Sequence, residues 1–384
     1  MDYAKLLVAG TADAPIQPNY FAQVAAHMVD ADTANGGTYR DVLTGTGHFR
    51  AVAALSALRW TARMFLLVIL VSITHSVMAA VAGSIATTLL ELLVASRLQP
   101  LTLRGPPGLA ASRLWGVAGP LLVFSAALQL ETKVDLFALS ALGGSTTDVG
   151  YYSAAQNLAV PPSLFALGFA PLLLATLSRL ERGAHHHEAC VVARASLRVC
   201  LALIPLAAIV AGASGEIVRV IFGSAFIGAA PLLALLFAAT VALATTAVSV
   251  SIVTVSAQPS RVSLLGVLLI GSALTGHAVL IPRMGPQGAA LATAASATLS
   301  ACASLTIVHH TWRIHAYGTA IRATIAAVPL YWAASLIHTT TWFTLILKLV
   351  LLSLVGMSAL LLLGELGAEE KQRVWALLHV TTSA

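Results

Sequence analysis

The sequence predicts an all-α, polytopic integral membrane protein with about ten transmembrane helices. Of its 384 residues, 58% are hydrophobic and only 9% are charged, and the mean hydropathy is +0.88. Soluble domains carry about a quarter charged residues, because polar side chains must cover their surface. The composition therefore excludes soluble enzyme folds and predicts a chain that lies largely in lipid.

Residues 1–48 differ from the rest of the chain. They hold five aspartates and a turn-forming run at residues 33–38, and no apolar stretch of membrane-spanning length. The first residues also lack the basic region and apolar run of a secretory signal peptide. We expect this segment to be polar and poorly ordered, at the cytoplasmic surface of the membrane.

From about residue 51 the chain becomes a series of apolar stretches. Each is near the roughly 20 residues that a helix needs to cross about 30 Å of hydrocarbon. Pro161 and Pro162 fall inside one stretch and are expected to be tolerated there, while the small residues at 288–297 should allow close helix packing. The predicted spans lie at roughly 57–75, 77–97, 113–142, 150–178, 191–212, 226–256, 261–281, 287–308, 319–338 and 342–364.

The basic residues alternate along this map. The 21 lysines and arginines are spread singly, unlike the clusters typical of nucleic-acid binding. Fifteen fall in the gaps or in the adjoining span ends on one side of the membrane, and two fall on the other side. Because cytoplasmic loops collect basic residues, both termini are predicted to be cytoplasmic. Lys348 lies within the last stretch, and its side chain is expected to extend toward the membrane surface.

The third stretch carries three ionisable side chains, Glu131, Lys133 and Asp135. An intramembrane charge costs at least about 2.5 kcal/mol and so indicates function by default. Glu131 and Asp135 are four residues apart and share a helix face, while Lys133 projects to the opposite side. Two carboxylates on one poorly solvated face imply a shared proton or a bound cation. The alternative is a hydrated helix end near the outer surface.

The fourth stretch begins with polar side chains that should face protein or water. Tyr152, Gln156 and Asn157 either line a cavity or hydrogen bond to a neighbouring helix, and the sequence leaves both possibilities open. Together with the third stretch they give the candidate substrate and ion pathway: Gln129, Glu131, Lys133, Asp135, Tyr152, Gln156 and Asn157.

No catalytic or metal-binding motif is found. The three cysteines, Cys190, Cys200 and Cys302, have no metal-ligand spacing and are interpreted as small apolar side chains. The tract at residues 185–188 contains three histidines and a glutamate, but adjacent ligands do not converge on one ion without a dedicated fold. We expect no catalytic residue, no metal and no cofactor, apart from Na⁺ or H⁺ as a coupling ion.

Several stretches, in their order, resemble the bacterial polysaccharide flippases. These are lipid-linked oligosaccharide exporters of the MOP superfamily, related to the multidrug and toxin extrusion (MATE) transporters. The resemblance covers roughly residues 48–365. It rests on Lys133–Phe137, Val149–Ala155 and Leu174–Leu180 in the middle of the family, on Glu216–Phe226 as a short external element, and on Ile281–Ala290 as the turn between the eleventh and twelfth family helices.

The resemblance implies a MATE-like fold of two six-helix lobes around a central cavity, followed by two further helices. It also implies alternating access in the bacterial inner membrane, often coupled to a cation gradient, that moves an undecaprenyl-pyrophosphate-linked oligosaccharide to the outer leaflet. By this resemblance, Asp135 is expected at the acidic position of the seventh family helix, which in some relatives helps to hold the coupling cation, and Glu131 is expected to assist it. Expected partners are the lipid-linked oligosaccharide, membrane lipids, a polysaccharide polymerase and glycosyltransferases, with no nucleic acid.

In the family, four helices precede the pair predicted at 57–97, and here a polar segment stands in their place. We therefore expect an incomplete N-terminal lobe in a truncated chain. The alternatives are a multidrug or metabolite exporter of the same fold, a nonfunctional or accessory lobe, and a membrane-embedded transferase. The predicted divisions are the polar segment 1–48, two helices of the first lobe at 49–104, a six-helix lobe at 105–310, and two further helices with a cytoplasmic tail at 311–384.

Overall fold

The computed structural model describes most of the chain beyond the polar segment. The described residues are 49–74, 83, 86–87, 89–94, 97, 111–256, 259–339 and 341–362. Within them the secondary structure is helical and contains no β-strand. The chain divides into two units, Met1–Val117 and Ala118–Ala384. The predictions for residues 1–48 and for the tail beyond Leu362 lie outside the described residues.

The helices are labelled here in chain order. They are α1 (Phe49–Thr74), α2 (Ala111–Ala141), α3 (Thr146–Leu158), α4 (Pro161–Arg182), α5 (His186–Leu201), α6 (Leu203–Gly212), α7 (Ser214–Phe222), a 3₁₀ helix (Ser224–Ala229), α8 (Ala230–Val255), α9 (Pro259–Met284), α10 (Pro286–Trp312), α11 (Tyr317–Leu336) and α12 (Trp342–Leu362).

The described part of the chain contains seven helical stretches that are long and apolar enough to cross a membrane. The prediction of an all-α, multi-pass membrane protein is confirmed. The predicted number of about ten spans remains approximate. Most of the span at 77–97 lies outside the described residues, and α2 and α11 are long enough to cross a membrane but are not among the seven. The seven stretches are Arg50–Leu70, Pro161–Arg182, His186–Gly212, Ser224–Val255, Ser260–Met284, Pro286–Trp312 and Trp342–Leu362.

In the first unit, α1 packs against the next helical residues. Leu55 is 1% exposed and contacts a small apolar group that includes Val94. Arg59 Nη1 lies 3.4 Å from Glu91 Oε2, and the Glu91 side chain is 1% exposed. These contacts join the two apolar stretches that the sequence predicts as a pair.

Two of the predicted spans are interrupted, which corrects the helix map. The stretch 150–178 is two helices, because α3 ends at Leu158 and α4 starts at Pro161. Proline is favoured at the first position of a helix, where its missing N–H has no intrahelical partner to lose. A second break separates α5 from α6 at Ala202, and Pro205 lies in the first turn of α6, where the same argument applies.

The second unit is built around α8, which packs against α10, α4, α6, α3 and α5. Helix α9 lies along α10, and α6 lies along α11. A Cβ at Gly276 would lie 3.0 Å from Ala292 Cβ, and a Cβ at Gly266 would lie 2.9 Å from Phe124 Cα. These glycines permit close backbone approach, as small residues do in membrane helices. The predicted close packing of 288–297 is confirmed, since most of this run is buried.

Helices α11 and α12 are tied to α7 by a buried ion pair. Lys348 Nζ lies 2.8 Å from Glu216 Oε2 and donates to the Ile337 carbonyl at 2.6 Å. Thr339 donates to Glu216 from its N–H and its hydroxyl, at 3.2 and 2.6 Å. Lys348 is 5% exposed, so the expectation that it extends to the surface is wrong, because a carboxylate and a carbonyl inside the protein take its protons.

The environment of Glu216 sets its ionisation. Partial burial acts to raise the pKa of this carboxyl, but the hydrogen bonds from Lys348 and Thr339 and the charge of Lys348 outweigh it, and the pKa is lowered from its ordinary value. Glu216 therefore stays ionised well into the acidic range.

Candidate functional site

The turn between α2 and α3 folds α3 back along α2. Gly143 has φ +96°, a conformation that glycine adopts without the steric cost of a side chain. Ser145 then caps α3: its hydroxyl accepts from the Asp148 N–H at 3.1 Å, and its own N–H donates to Asp148 Oδ2 at 3.0 Å. This reciprocal capping box fixes the start of α3 and places its polar residues beside the carboxylates of α2.

Asp135 is buried and fully hydrogen bonded. Its Oδ2 accepts from the Tyr152 hydroxyl at 2.8 Å and from Gln156 Nε2 at 3.1 Å. Its Oδ1 accepts from the Leu136 N–H at 2.8 Å. The side chain is 1% exposed, so protein donors replace water around this carboxylate.

Glu131 lies one turn earlier on α2 and is equally buried, at 1% exposure. Its Oε1 accepts from the Ser296 hydroxyl of α10 at 2.9 Å, while its buried Oε2 has no hydrogen-bond partner. The Tyr152 hydroxyl also lies 3.3 Å from Thr293 Oγ1. One polar network therefore joins α2, α3 and α10, and we call it the carboxylate network: Glu131, Asp135, Tyr152, Gln156, Thr293 and Ser296.

The network contains four of the seven side chains singled out in the sequence. Lys133, Gln129 and Asn157 are exposed and lie outside it. Glu131 and Asp135 share a buried face, so they are not at a hydrated helix end. Gln156 Nε2 also donates to the Thr132 carbonyl at 3.2 Å, which is a bond to the neighbouring helix.

Sequence reasoning missed Thr293 and Ser296. Both lie in the run of small residues at 288–297, which predicts packing but does not indicate a contact with carboxylates about 160 residues earlier in the chain. Their spacing of three residues on one helix face was the available signal. Hydroxyls usually bond to their own helix, as Thr293 does to the Ala289 carbonyl at 3.1 Å, so the signal is weak.

The other sequence candidates fall elsewhere. Within the described ranges, no group of three His, Cys, Asp or Glu side chains is placed to hold a metal ion. Cys200 is buried in the core, as an apolar side chain would be, whereas Cys190 is half-buried and Cys302 is exposed. Cys190 packs against the apolar core of the second unit, which fits the interpretation as a small apolar side chain, whereas Cys302 lies on an exposed helix face.

A cavity of about 410 Å³ opens between α5, α6, α11 and α12. Its walls are apolar except for Arg198, Thr319 and Ser353. No member of the carboxylate network lines it, so the two features are separate.

Comparisons with known proteins agree with this architecture. Residues 44–231 match a family described as "polysaccharide biosynthesis protein". No curated protein sequence matches the chain. Among solved structures, a mutant of the Vibrio cholerae MATE transporter VcmN has a TM-score of 0.60 at 13% identity, over 73% of this chain and 66% of that one. The same transporter in its bent form gives 0.57 at 13% identity, over 72% and 65%.

The lipid II flippase MurJ, in an inward closed conformation, has a TM-score of 0.54 at 15% identity, over 84% of this chain and 70% of that one. The chain thus spans about two thirds of the length of the VcmN transporter. At these identities the likeness shows a common fold. Together with the match over residues 44–231, which is just under half of the chain, this common fold agrees with the resemblance to the polysaccharide flippases of the MATE-like MOP exporter superfamily.

Proposed function

We propose that the chain acts in flipping an undecaprenyl-pyrophosphate-linked oligosaccharide from the inner to the outer leaflet of the bacterial inner membrane, by alternating access. The family match over residues 44–231 supports a role in polysaccharide biosynthesis. The likeness to a lipid II flippase supports movement of a lipid-linked substrate. The alternation of basic residues supports cytoplasmic termini. The proposed partners are glycosyltransferases, which would supply the lipid-linked oligosaccharide before the flipping step, and a polysaccharide polymerase, which would use it afterwards.

The observation that supports the mechanism is that the buried Oε2 atom of Glu131 has no hydrogen-bond partner. A buried carboxylate with one oxygen unpartnered is costly as an anion, whereas the neutral acid carries no buried charge and costs less. Asp135, with donors on both oxygens, is suited to remain ionised. We assign one proton to the pair, held by Glu131 in this conformation.

The donors around the pair favour a proton over Na⁺ as the coupling ion. The hydroxyl groups of Tyr152 and Ser296 donate hydrogen bonds to the carboxylates, and the NH₂ group of Gln156 donates one to Asp135. Hard metal cations are held instead by several converging oxygen lone pairs. Because the carboxylates are surrounded by hydrogen-bond donors and not by converging lone pairs, the network suits a bound proton better than a bound Na⁺.

Loss of this proton would favour opening of the carboxylate network. Two ionised carboxylates one turn apart in a poorly solvated site repel each other, and each needs water. Since Glu131 reaches α10 through Ser296, and Tyr152 reaches it through Thr293, separation of α10 from α2 and α3 would admit that water. Proton release would in this way shift the lobe toward a second conformation.

The test is transport by the purified chain in proteoliposomes, with a fluorescent undecaprenyl-pyrophosphate-linked oligosaccharide as substrate. We expect the labelled glycan to reach the outer leaflet faster than in protein-free vesicles, and Glu131→Gln to abolish the gain. Lys133→Gln, on the exposed side of the same helix, is the matched control and should transport normally. Equal flipping by the wild type, Glu131→Gln and empty vesicles would contradict the proposal.

A second candidate function is export of amphipathic organic cations. The likeness to the MATE transporter VcmN favours it. The same vesicles distinguish the two functions: export of a fluorescent organic cation without flipping of the lipid-linked glycan would support the exporter and exclude the flippase.

A further inference from the structure

A second polar constellation lies outside the carboxylate network, at the turn between α4 and α5. Cys190 Sγ lies 3.5 Å from His186 Nε2. The other ring nitrogen of the same histidine, Nδ1, lies 2.6 Å from Glu181 Oε1. The three side chains thus form a chain of contacts from a thiol through an imidazole to a carboxylate.

The local fold brings these side chains together. Glu181 is in the last turn of α4, which ends at Arg182, and the turn that follows includes Ala184 at φ +58°. This left-handed residue reverses the chain and starts α5 at His186. Cys190 is four residues further along α5 and therefore lies on the same helix face as His186.

The His186 ring is also held from a third direction. It stacks on the Trp312 ring of α10, with the centroids 5.4 Å apart and the planes at 28°. The Trp312 indole in turn hydrogen bonds to Ser256 at the end of α8. Glu181 and Trp312 together fix the position and the plane of the imidazole.

The geometry assigns a role to each ring nitrogen. Nδ1 carries the hydrogen that it donates to Glu181, which leaves Nε2 with a lone pair directed at the Cys190 thiol. A nucleophile within reach of a base, with the base oriented by a third group, is the arrangement of activated cysteines and serines. The thiolate formed by proton transfer to Nε2 would lie beside an imidazolium.

The surroundings of Cys190 disfavour a free thiolate at rest, because partial burial and the charge of Glu181 outweigh the charge of Arg194, one helical turn further along α5. Attack by this thiol therefore depends on His186 to take the proton as the reaction proceeds. Glu188 contacts a different histidine, with its Oε1 atom 3.4 Å from His185 Nδ1. The side chains of His186 and Glu181 are 66% and 29% exposed, so small polar molecules reach the constellation from water.

We propose that Cys190 is a reactive thiol and a site of reversible S-thiolation by low-molecular-weight disulfides. The thiol proton moves to His186 Nε2, and the Cys190 thiolate attacks one sulfur of the disulfide. A new S–S bond forms at Cys190, the original S–S bond breaks, and the leaving thiolate takes the proton back from His186. One disulfide is exchanged for another, and a free small thiol is released.

The adduct would sit where α4, α5 and the end of α10 meet. A bulky group on Cys190 competes for the space beside His186 and disturbs the stack on Trp312. The modification is reversible by excess small thiol, so it would report the redox state of the compartment on that side of the membrane.

The first test measures alkylation of the full-length protein by iodoacetamide, with the labelled peptides quantified by mass spectrometry. We expect His186→Phe, which keeps an aromatic ring against Trp312, to slow the alkylation of Cys190 about tenfold, because the base is lost. Glu181→Gln should slow the reaction less, because the base remains.

His187→Phe is the matched control and should leave the rate at Cys190 unchanged. An alkylation rate at Cys190 of His186→Phe equal to that of the wild type would overturn the proposal. Loss of the fold is distinguished by Cys200, which is buried and should stay unlabelled in every variant.

The second test uses oxidised glutathione as the disulfide. We expect one glutathionyl adduct on Cys190 of the wild type, its removal by excess reduced glutathione, and no adduct in Cys190→Ser. His186→Phe should form the adduct more slowly. Failure of the wild type to form an adduct at Cys190, or formation at the same rate in His186→Phe, would overturn the proposal, and neither result bears on flipping.

Discussion

Tyr152 on α3 donates a 2.8 Å hydrogen bond to Asp135 on α2, and neither side chain is more than 1% exposed. The same hydroxyl lies 3.3 Å from Thr293 on α10. A single phenol therefore connects three helices through one carboxylate.

Removal of the hydroxyl in Tyr152→Phe should destabilise the protein. The ring keeps its shape, but Asp135 loses a donor inside the protein, at a cost of about 1–3 kcal/mol. Thermal unfolding of the detergent-solubilised protein measures the loss. Tyr151→Phe is the matched control, because its hydroxyl bonds to the Ala225 carbonyl at an exposed position and should cost less. Equal losses in the two variants would contradict this account of the network.

Removal of the charge in Lys348→Met should loosen α12. It leaves Glu216 without its buried cation, and breaking a buried pair from one side costs about 3 kcal/mol or more. The double variant Lys348→Met with Glu216→Leu should recover much of that loss, because no uncompensated charge remains. Thermal unfolding of the wild type, the single variant and the double variant measures the effect. A double variant that is less stable than the single one would contradict the ion-pair interpretation.

The same pair predicts a pH dependence. Since the pKa of Glu216 is lower in the folded protein than its ordinary value, the carboxylate contributes stability above the unfolded-state pKa of about 4.3. That contribution is lost as the pH falls through the lower folded-state pKa. Unfolding temperatures measured from neutral to acidic pH should fall more steeply in the wild type than in Glu216→Gln. Parallel curves would show that Glu216 does not titrate in this way.

The close approach of α9 and α2 predicts a large difference between two glycines of α9. Gly266→Ala places a Cβ 2.9 Å from the Phe124 backbone, and overpacking of this kind costs about 1–3 kcal/mol. Gly271→Ala is the matched control, since no atom lies within 4 Å of its added Cβ, and alanine favours a helix by up to about 1 kcal/mol. Thermal unfolding should therefore separate the two variants in opposite directions.

Helix periodicity predicts the shared face of Glu131 and Asp135 and the outward direction of Lys133. These follow from spacing within one helix, which the sequence contains. The partners of the carboxylates do not follow from it, because Ser296 is 165 residues away from Glu131 and only the packing of α10 against the lobe brings them together. A long-range contact of this kind leaves no local pattern.

The helix breaks and the buried lysine show a second limit. Apolarity is continuous across Pro161 and Ala202, so a hydropathy profile joins α3 to α4 and α5 to α6. Lys348 looks like a residue that extends to the surface until Glu216 is found beside it. In both cases the apolar content predicts which residues lie in the membrane. It does not predict where a helix is interrupted or which groups pair with a buried charge.

The central claim is that Glu131 carries the proton that couples conformation to a gradient. Its most direct test is proton movement by the reconstituted chain, followed with a pH-sensitive dye inside the vesicles while the lipid-linked oligosaccharide is flipped. We expect substrate-dependent proton flux in the wild type and in Lys133→Gln, and none in Glu131→Gln. Unchanged proton flux in Glu131→Gln, or flipping driven by a Na⁺ gradient with no proton movement in the wild type, would contradict the account.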